Sequence, residues 1–319
     1  MSLDLLSPST RTAVGIDFGG TSIKLGVCRG ADLLALDEPI PTQGHAGPDA
    51  LIRVIAERVT RLREKHLDIV AVGVGVPGLV DFDRGFVHVL TNVAGWSHVP
   101  LKKILGDMVE LPVIVENDAN AMAYAEWRYG AAQGLANVVA LTLGTGVGGG
   151  LILNHALYRG SQFSAGEIGQ MSIHYDGVSG HYGNIGALEK YMGNNQIAEH
   201  AVKRYAQAGV PKEAAQCTPR AIAEAAHAGD DVARQVWAEI ADWLGTALAS
   251  IAWLLNPDAF VIGGGVAQAG PLLFEPLESK VRSMLSAVVQ EHLRILPARF
   301  SNEAGIIGNA ALAADSVVA

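Results

Sequence analysis

Val14-Gly15-Ile16-Asp17-Phe18-Gly19-Gly20-Thr21 and Val139-Ala140-Leu141-Thr142-Leu143-Gly144-Thr145-Gly146 are the two stretches that decide the fold. Each is a short apolar run ending in a Gly-rich turn. Each continues into a second apolar run, Ile23 to Val27 and Gly150 to Leu153. Strand, turn, strand reads as a β-hairpin. The turns lie at a fixed offset, from Gly19 to Gly144, which is 125 residues. Two such hairpins, each opening one half of the chain, read as a duplicated domain. A third Gly-rich segment, Phe260-Val261-Ile262-Gly263-Gly264-Gly265, also follows an apolar run.

Between these markers strands and helices alternate, which predicts an α/β fold. Asp49 to Lys65 carries apolar residues at helical spacing, and Ile69 to Val76 is a β-branched run typical of a buried strand. Pro100 to Val109 reads as a helix, Val113 to Val115 as a strand and Asp118 to Tyr129 as an Ala-rich helix. Beyond residue 188 helices dominate: Asn194 to Gln207, Pro219 to His227 and Asp230 to Leu255. Ala259 to Ile262 is a strand, and Glu303 to Asp315 a last helix. The duplication places a domain boundary near residue 120, giving an N-terminal domain 1–120 joined by the C-terminal helix 303–319, and a larger domain 121–302.

Composition narrows the function. Half of the 319 residues are hydrophobic, 17% are charged, and the net charge is −9, so the chain is globular and acidic. No Lys/Arg run exceeds two residues, so no nucleic-acid partner is expected. The two cysteines, Cys28 and Cys217, form neither a disulfide framework nor a metal spacing, which fits a reducing cytoplasm. Met1 to Arg11 has no signal-peptide pattern. Leu244 to Leu255 is too short for a membrane span and reads as a buried helix, with Trp237, Trp243 and Trp253 in a core. No membrane contact is expected.

The turns carry the chemistry. Backbone N–H groups pointing into a Gly-rich turn satisfy a phosphate, and side chains there would block its approach. Gly19-Gly20-Thr21 and Gly144-Thr145-Gly146 supply such turns twice, each with a hydroxyl. Asp17, just before the first turn, is placed to hold Mg²⁺ directly or through water. Gly73-x-Gly75-x-x-Gly78 matches a dinucleotide fingerprint formally, but it runs into Leu79-Val80 rather than a helix, which excludes a Rossmann dehydrogenase. Glu116-Asn117-Asp118 stands between a strand and a helix, where α/β sheets place ligands, and a carboxylate there can deprotonate a hydroxyl nucleophile. Glu167 and Glu189 are flanked by glycine or apolar residues, which suits a polyol. His174 and His181 have no partners at metal spacing.

Taken together these segments make the chain resemble the ROK sugar kinases, the bacterial glucokinase-like branch of the actin/hexokinase superfamily. The resemblance runs from about Ala13 to Ala314. It rests on Gly15-Ile-Asp17-Phe-Gly19-Gly20-Thr21-Ser-Ile-Lys24, Gly75-Val-Pro77-Gly78, Glu116-Asn-Asp118-Ala-Asn120-Ala121, Leu143-Gly144-Thr-Gly146-Val-Gly148-Gly149-Gly150, Gly166-Glu167-Ile-Gly169 and Val261-Ile-Gly263-Gly264-Gly265. It implies two actin-like, ribonuclease H-like α/β domains flanking a cleft, a homodimer, and ATP-dependent phosphorylation of a hexose hydroxyl, glucose to glucose 6-phosphate. N-acetylmannosamine, N-acetylglucosamine, fructose and allose are alternative substrates, and polyphosphate an alternative donor. Asp118 would be the catalytic base. Gly78, Asn92, Asn117, Glu167, Gln170 and Glu189 would line the sugar site with it. Asp17, Gly19, Gly20, Thr21, Lys24, Gly144, Thr145, Gly146, Gly264 and Gly265 would serve ATP and Mg²⁺.

The chain departs from the family at one place. ROK kinases carry His after Glu-x-Gly and a C-x-C-G-x-x-G-C loop that together bind structural zinc. Here those four positions are Gln170, Gly180, Tyr182 and Ala187, so no structural zinc is expected, with Tyr175, Tyr182 and Ile185 as the anchors of a metal-free loop. Gln170 can still hydrogen-bond a sugar but cannot titrate as His does. Two rival readings are a sugar-responsive regulator of the same family and a weakly catalytic sugar-binding protein. The first would need a helix-turn-helix domain, for which residues 1–11 leave no room; Asp118 and the two Gly turns argue against the second.

Overall fold

The computed structural model describes residues 10–90, 93–300 and 302–317. Its contacts divide the chain into two compact units: Met1–Gly134, Gly150–Ala165 and Phe300–Ala319 form the first, and Leu135–Gly149 with Gly166–Arg299 the second.

The first unit is built on one sheet. Its strands run in the order Asp32–Leu36, Ser22–Arg29, Thr12–Phe18, Ile69–Val76, Val113–Asn117. Thr12–Phe18 pairs antiparallel with Ser22–Arg29 and parallel with Ile69–Val76, which pairs parallel with Val113–Asn117. The strand period of two sorts the side chains. Val14, Ile16 and Phe18 join a core with the helices Pro48–Lys65 and Leu101–Val109, through Leu51, Ile55, Val59 and Leu105. Ala13 faces the other side, with the helices Asp118–Arg128 and Ala304–Ser316. Small residues set that second spacing. A Cβ on Gly15 or Gly73 would overlap the backbone of the helix Ala304–Ser316, at Ile306 and Asn309, and one on Gly308 would overlap Ala121. Beyond Val76 the chain enters a small antiparallel sheet of Val80–Asp81, Phe86–Val89 and Ser97–Val99. No helix follows Gly73-x-Gly75-x-x-Gly78, in agreement with the sequence reading.

The segment 150–165 belongs to this unit, and the division falls after Gly134 rather than at residue 120. Gly150 packs on Ala119 and Ala123 of the helix Asp118–Arg128, and Arg159 reaches Glu116. Tyr124 and Arg128 both bond Asp315 of the last helix, so the helix after Asn117 is tied to the N-terminal sheet.

In the second unit Val138–Leu143, Ala259–Gly263 and Arg294–Pro297 are parallel neighbours. The 25-residue helix Asp231–Leu255 buries Val236, Trp237, Ile240, Leu244, Leu248 and Ile251, spaced three and four apart, and packs on the helix Pro271–Ser283. It is longer than the apolar run suggested, and by length and composition it could cross a bilayer; its buried stripe is that of a core helix. Of the three tryptophans, Trp237 is in the core, Trp243 stacks with Tyr191 and His200, and Trp253, expected in the core, is exposed near the helix end with its Nε1–H donating to Met284 O.

Candidate active site

The two Gly turns have the same length. Three residues, Gly19 to Thr21, join Thr12–Phe18 to Ser22–Arg29. Three more, Gly144 to Gly146, join Val138–Leu143 to Val147–Leu153. Gly19 N–H donates to Ser22 O at 3.0 Å, and Gly144 N–H to Gly146 O at 3.0 Å. Thr21 and Thr145 are both exposed. A Cβ on Gly144 would meet nothing within 4 Å, so packing does not call for glycine there, whereas free approach of a ligand does.

In the first unit Asp17 sits opposite Lys24 in the hairpin register. Burial raises its carboxyl above the usual range, and Lys24 opposes that. A carboxylate that burial disfavours gains from any nearby cation, and Lys24 supplies one.

The segment Glu116-Asn117-Asp118 is more built than the sequence suggested. Asn117, not Asp118, caps the helix Asp118–Arg128: its Oδ1 accepts from Ala119 N at 2.9 Å and Asn120 N at 3.1 Å. Its Nδ2 donates to Gly78 O at 3.1 Å, where Gly78 takes a left-handed φ of 88°. Asp118 is thereby the first helical residue, its Oδ1 accepting Ala119 N–H at 2.9 Å. Glu116, which the sequence left without a role, is 2% exposed. It accepts from Asn117 N at 2.9 Å, Asn120 Nδ2 at 3.0 Å and Arg159 Nε at 2.7 Å. The Arg159 guanidinium lies 3.7 Å from the Phe82 ring centroid. Arg159 escaped sequence reading because nothing in Leu157-Tyr158-Arg159 marks it as a partner. Asn92 lies outside the described residues.

In the second unit Glu189 begins a short helix, Glu189–Met192. Its Oε2 accepts the Val147 N–H at 3.1 Å, and a Cβ on Gly146 would overlap that carboxylate. Its Oε1 lies 3.3 Å from His181 Nε2. Glu167 is exposed overall, but local desolvation raises its carboxyl, and the negative charge of Glu189 adds to the rise. A residue expected to bind sugar therefore abuts a turn expected to hold phosphate. The effect of Gly146→Ala is accordingly broader than a rise in KM for ATP alone. The methyl must displace Glu189, so KM for ATP and KM for the sugar should rise together, each by about tenfold or more, as initial-rate kinetics would measure.

Gly264 takes φ 87°, and a Cβ there would overlap the backbone of Leu143. Gly265 lines a pocket of about 530 Å³ with Asn194, Glu199, Thr218, Arg220 and Gln268, wide enough for a nucleoside. Only Gly265 of this lining was expected from sequence.

The loop at the four family zinc positions offers an amide at Gln170, no side chain at Gly180, a 78% exposed phenol at Tyr182 and a methyl at Ala187. That set does not fit zinc. Among the described residues no three His, Cys, Asp or Glu cluster to hold a metal. The expected anchors are corrected: Tyr175 is 92% exposed and Ile185 41%. His174 packs beside the Tyr191 ring, with 5.5 Å between the ring centroids.

The ROK family model matches residues 13–316. The glucokinase of Streptomyces coelicolor is 35% identical over 94% of this chain and 96% of its own length. A ROK family glucokinase from Streptomyces griseus, solved with glucose and AMPPNP, superposes with a TM-score of 0.79 at 35% identity, over 95% of this chain and 99% of that one. The xylose repressor of Caldicellulosiruptor bescii is 27% identical over 92% of this chain and 76% of its own. The matched turns, the capped Asn117-Asp118 step and the extent of these similarities lead to one conclusion: this chain belongs to the ROK family, with its actin-like α/β architecture.

Proposed function

We propose that the protein transfers the γ-phosphoryl group of ATP to the 6-hydroxyl of glucose. The chain is an ATP-dependent sugar kinase; glucose as its substrate rests on the glucokinases it resembles. The observation that carries the reading is the Asn117 cap, which sets the Asp118 carboxylate in the first turn of its helix, directly after the strand Val113–Asn117. Asp118 would accept the proton from the sugar hydroxyl, while Glu167, Gln170 and Glu189 would hold the sugar. The transition state of phosphoryl transfer is loose, so positioning and charge stabilisation supply most of the rate. The two Gly turns would present N–H groups to the phosphates. Mg²⁺, when bound through Asp17, would neutralise phosphate charge. The pocket beside Gly265 would take the nucleoside.

The family's repressors keep a second reading in view, since one of them aligns with 92% of this chain. A capped base and two open Gly turns favour the kinase. We further propose a cytoplasmic homodimer. Turnover across a hexose panel with ATP tests the assignment. The highest kcat/KM should fall on glucose; an N-acetylhexosamine preferred by tenfold would move the substrate while keeping the kinase, and binding of a sugar without turnover would favour the regulator.

A further inference from the structure

The segment between Gln170 and Leu188 exposes Tyr175, Val178, Tyr182 and Ile185. Ala187 is buried, and Met171 and Ile173 are half-buried. The cross-links between its two arms are polar. Ser172 bridges Ala187, Ser179 bridges Ile185, Leu188 N–H donates to Met171 O and Val178 N–H to the Tyr191 hydroxyl. These bonds join the segment's two arms to each other or to Tyr191. Asn184 makes the side-chain link to Gln170. Its Nδ2 donates to the Gln170 carbonyl at 2.6 Å, and its own carbonyl accepts the Gly180 N–H at 2.6 Å. The amide lies against Gly180: a Cβ there would overlap Asn184 Oδ1 and stand 2.9 Å from Ala187 Cβ. Gln170, Gly180 and Ala187 are three of the four family zinc positions, and the Asn184 amide touches the first two and lies beside the third. Asn184 Oδ1 and Gln170 Oε1 are both buried and lack a partner among the described residues. A buried acceptor without a donor is costly unless a ligand supplies one.

We infer that the Asn184 amide, seated on Gly180, does in this chain what zinc does in its relatives: it closes the 171–187 segment and fixes Gln170 with its Oε1 turned to a donor on the sugar. Asn184 is thus a positioning residue, acting through Gln170. Glycine at 180 and asparagine at 184 form a matched pair, because a side chain at 180 would expel the amide. The inference rests on the proposed sugar site, and its test includes a readout that does not.

The test is a double-mutant cycle of Asn184→Ala and Gly180→Ala, read by limited proteolysis of the segment and by calorimetric binding of glucose. Tyr175 and Tyr182 are exposed cleavage points for chymotrypsin. Each single variant should be cut faster and should bind glucose about fivefold more weakly or worse, the loss expected for one hydrogen bond. ATP affinity and far-ultraviolet circular dichroism should hold. Gly180→Ala should change cleavage and affinity less in the Asn184→Ala background than alone, the remaining effect being the contact of its Cβ with Ala187. Equal effects of Gly180→Ala in both backgrounds, or wild-type cleavage of Asn184→Ala, would overturn the staple. Faster cleavage with unchanged glucose affinity would overturn the positioning of Gln170. If the unaltered chain bound no glucose, the proposed function would fail while cleavage still judged the staple. Elemental analysis must agree: one chelator-resistant zinc per chain would overturn the inference outright.

Discussion

Asp118→Asn is expected to lower kcat by at least about 10²-fold, with glucose affinity and melting temperature close to those of the unaltered chain. The geometry makes the two effects separable. Asn117 performs the capping, through Ala119 N and Asn120 N, so the helix keeps its N-terminus when Asp118 becomes an amide. The Asp118 Oδ1 bond to Ala119 N–H can be kept by an amide oxygen. What is lost is the carboxylate as a proton acceptor, a contribution of roughly 10²- to 10⁴-fold. Initial rates with saturating ATP and glucose measure it. Turnover within a fewfold of the unaltered enzyme, at unchanged stability, would remove Asp118 from the role of base.

The second large effect is on stability. Glu116 is a buried carboxylate with three donors, and Arg159 is the charged one. Arg159→Met should destabilise the fold by about 3 kcal/mol, because removing one partner strands a buried charge. Glu116→Gln in the same chain should return most of that loss, since the amide carries no charge to strand. Urea unfolding of both variants checks this. A single variant within about 0.5 kcal/mol of the unaltered chain would show that the pair is not a stability element. A double variant as unstable as the single one would show that charge is not the cause.

The fold was legible where periodicity is strong and turns are short. Ile69–Val76, Asn194–Gln207 and Pro219–His227 form with the bounds read from sequence, and both hairpins close at the predicted turns. The helix Pro271–Ser283 was missed, with Pro276 inside it and no N-terminal side-chain cap to announce it. The helix starts at Asp118 as read, with Asn117 as its cap, and a further bond from Asn117 to Gly78 O holds that side chain in place. In the site, residues that act through backbone shape were visible as glycines. Residues that act through long-range pairs were not: Arg159 meets Glu116 across 43 positions. The contacts of His181 with Glu189 and of Asn184 with Gln170 were not legible, because both are made across a loop whose sequence pattern points only to a family metal motif. Apolarity points to Tyr175, Tyr182 and Ile185 as anchors, but all three are exposed and the cross-links of the loop are polar.

Product analysis decides whether the protein is a glucose kinase. Purified protein, ATP, Mg²⁺ and glucose are mixed, and sugar and nucleotide products are followed together by phosphorus nuclear magnetic resonance, with Asp118→Asn in parallel. Glucose 6-phosphate and ADP should form in equal amounts, and formation of both should be slowed at least about 10²-fold in the variant. ATP cleavage that is independent of sugar, or glucose binding with no phosphorylated product, would contradict it.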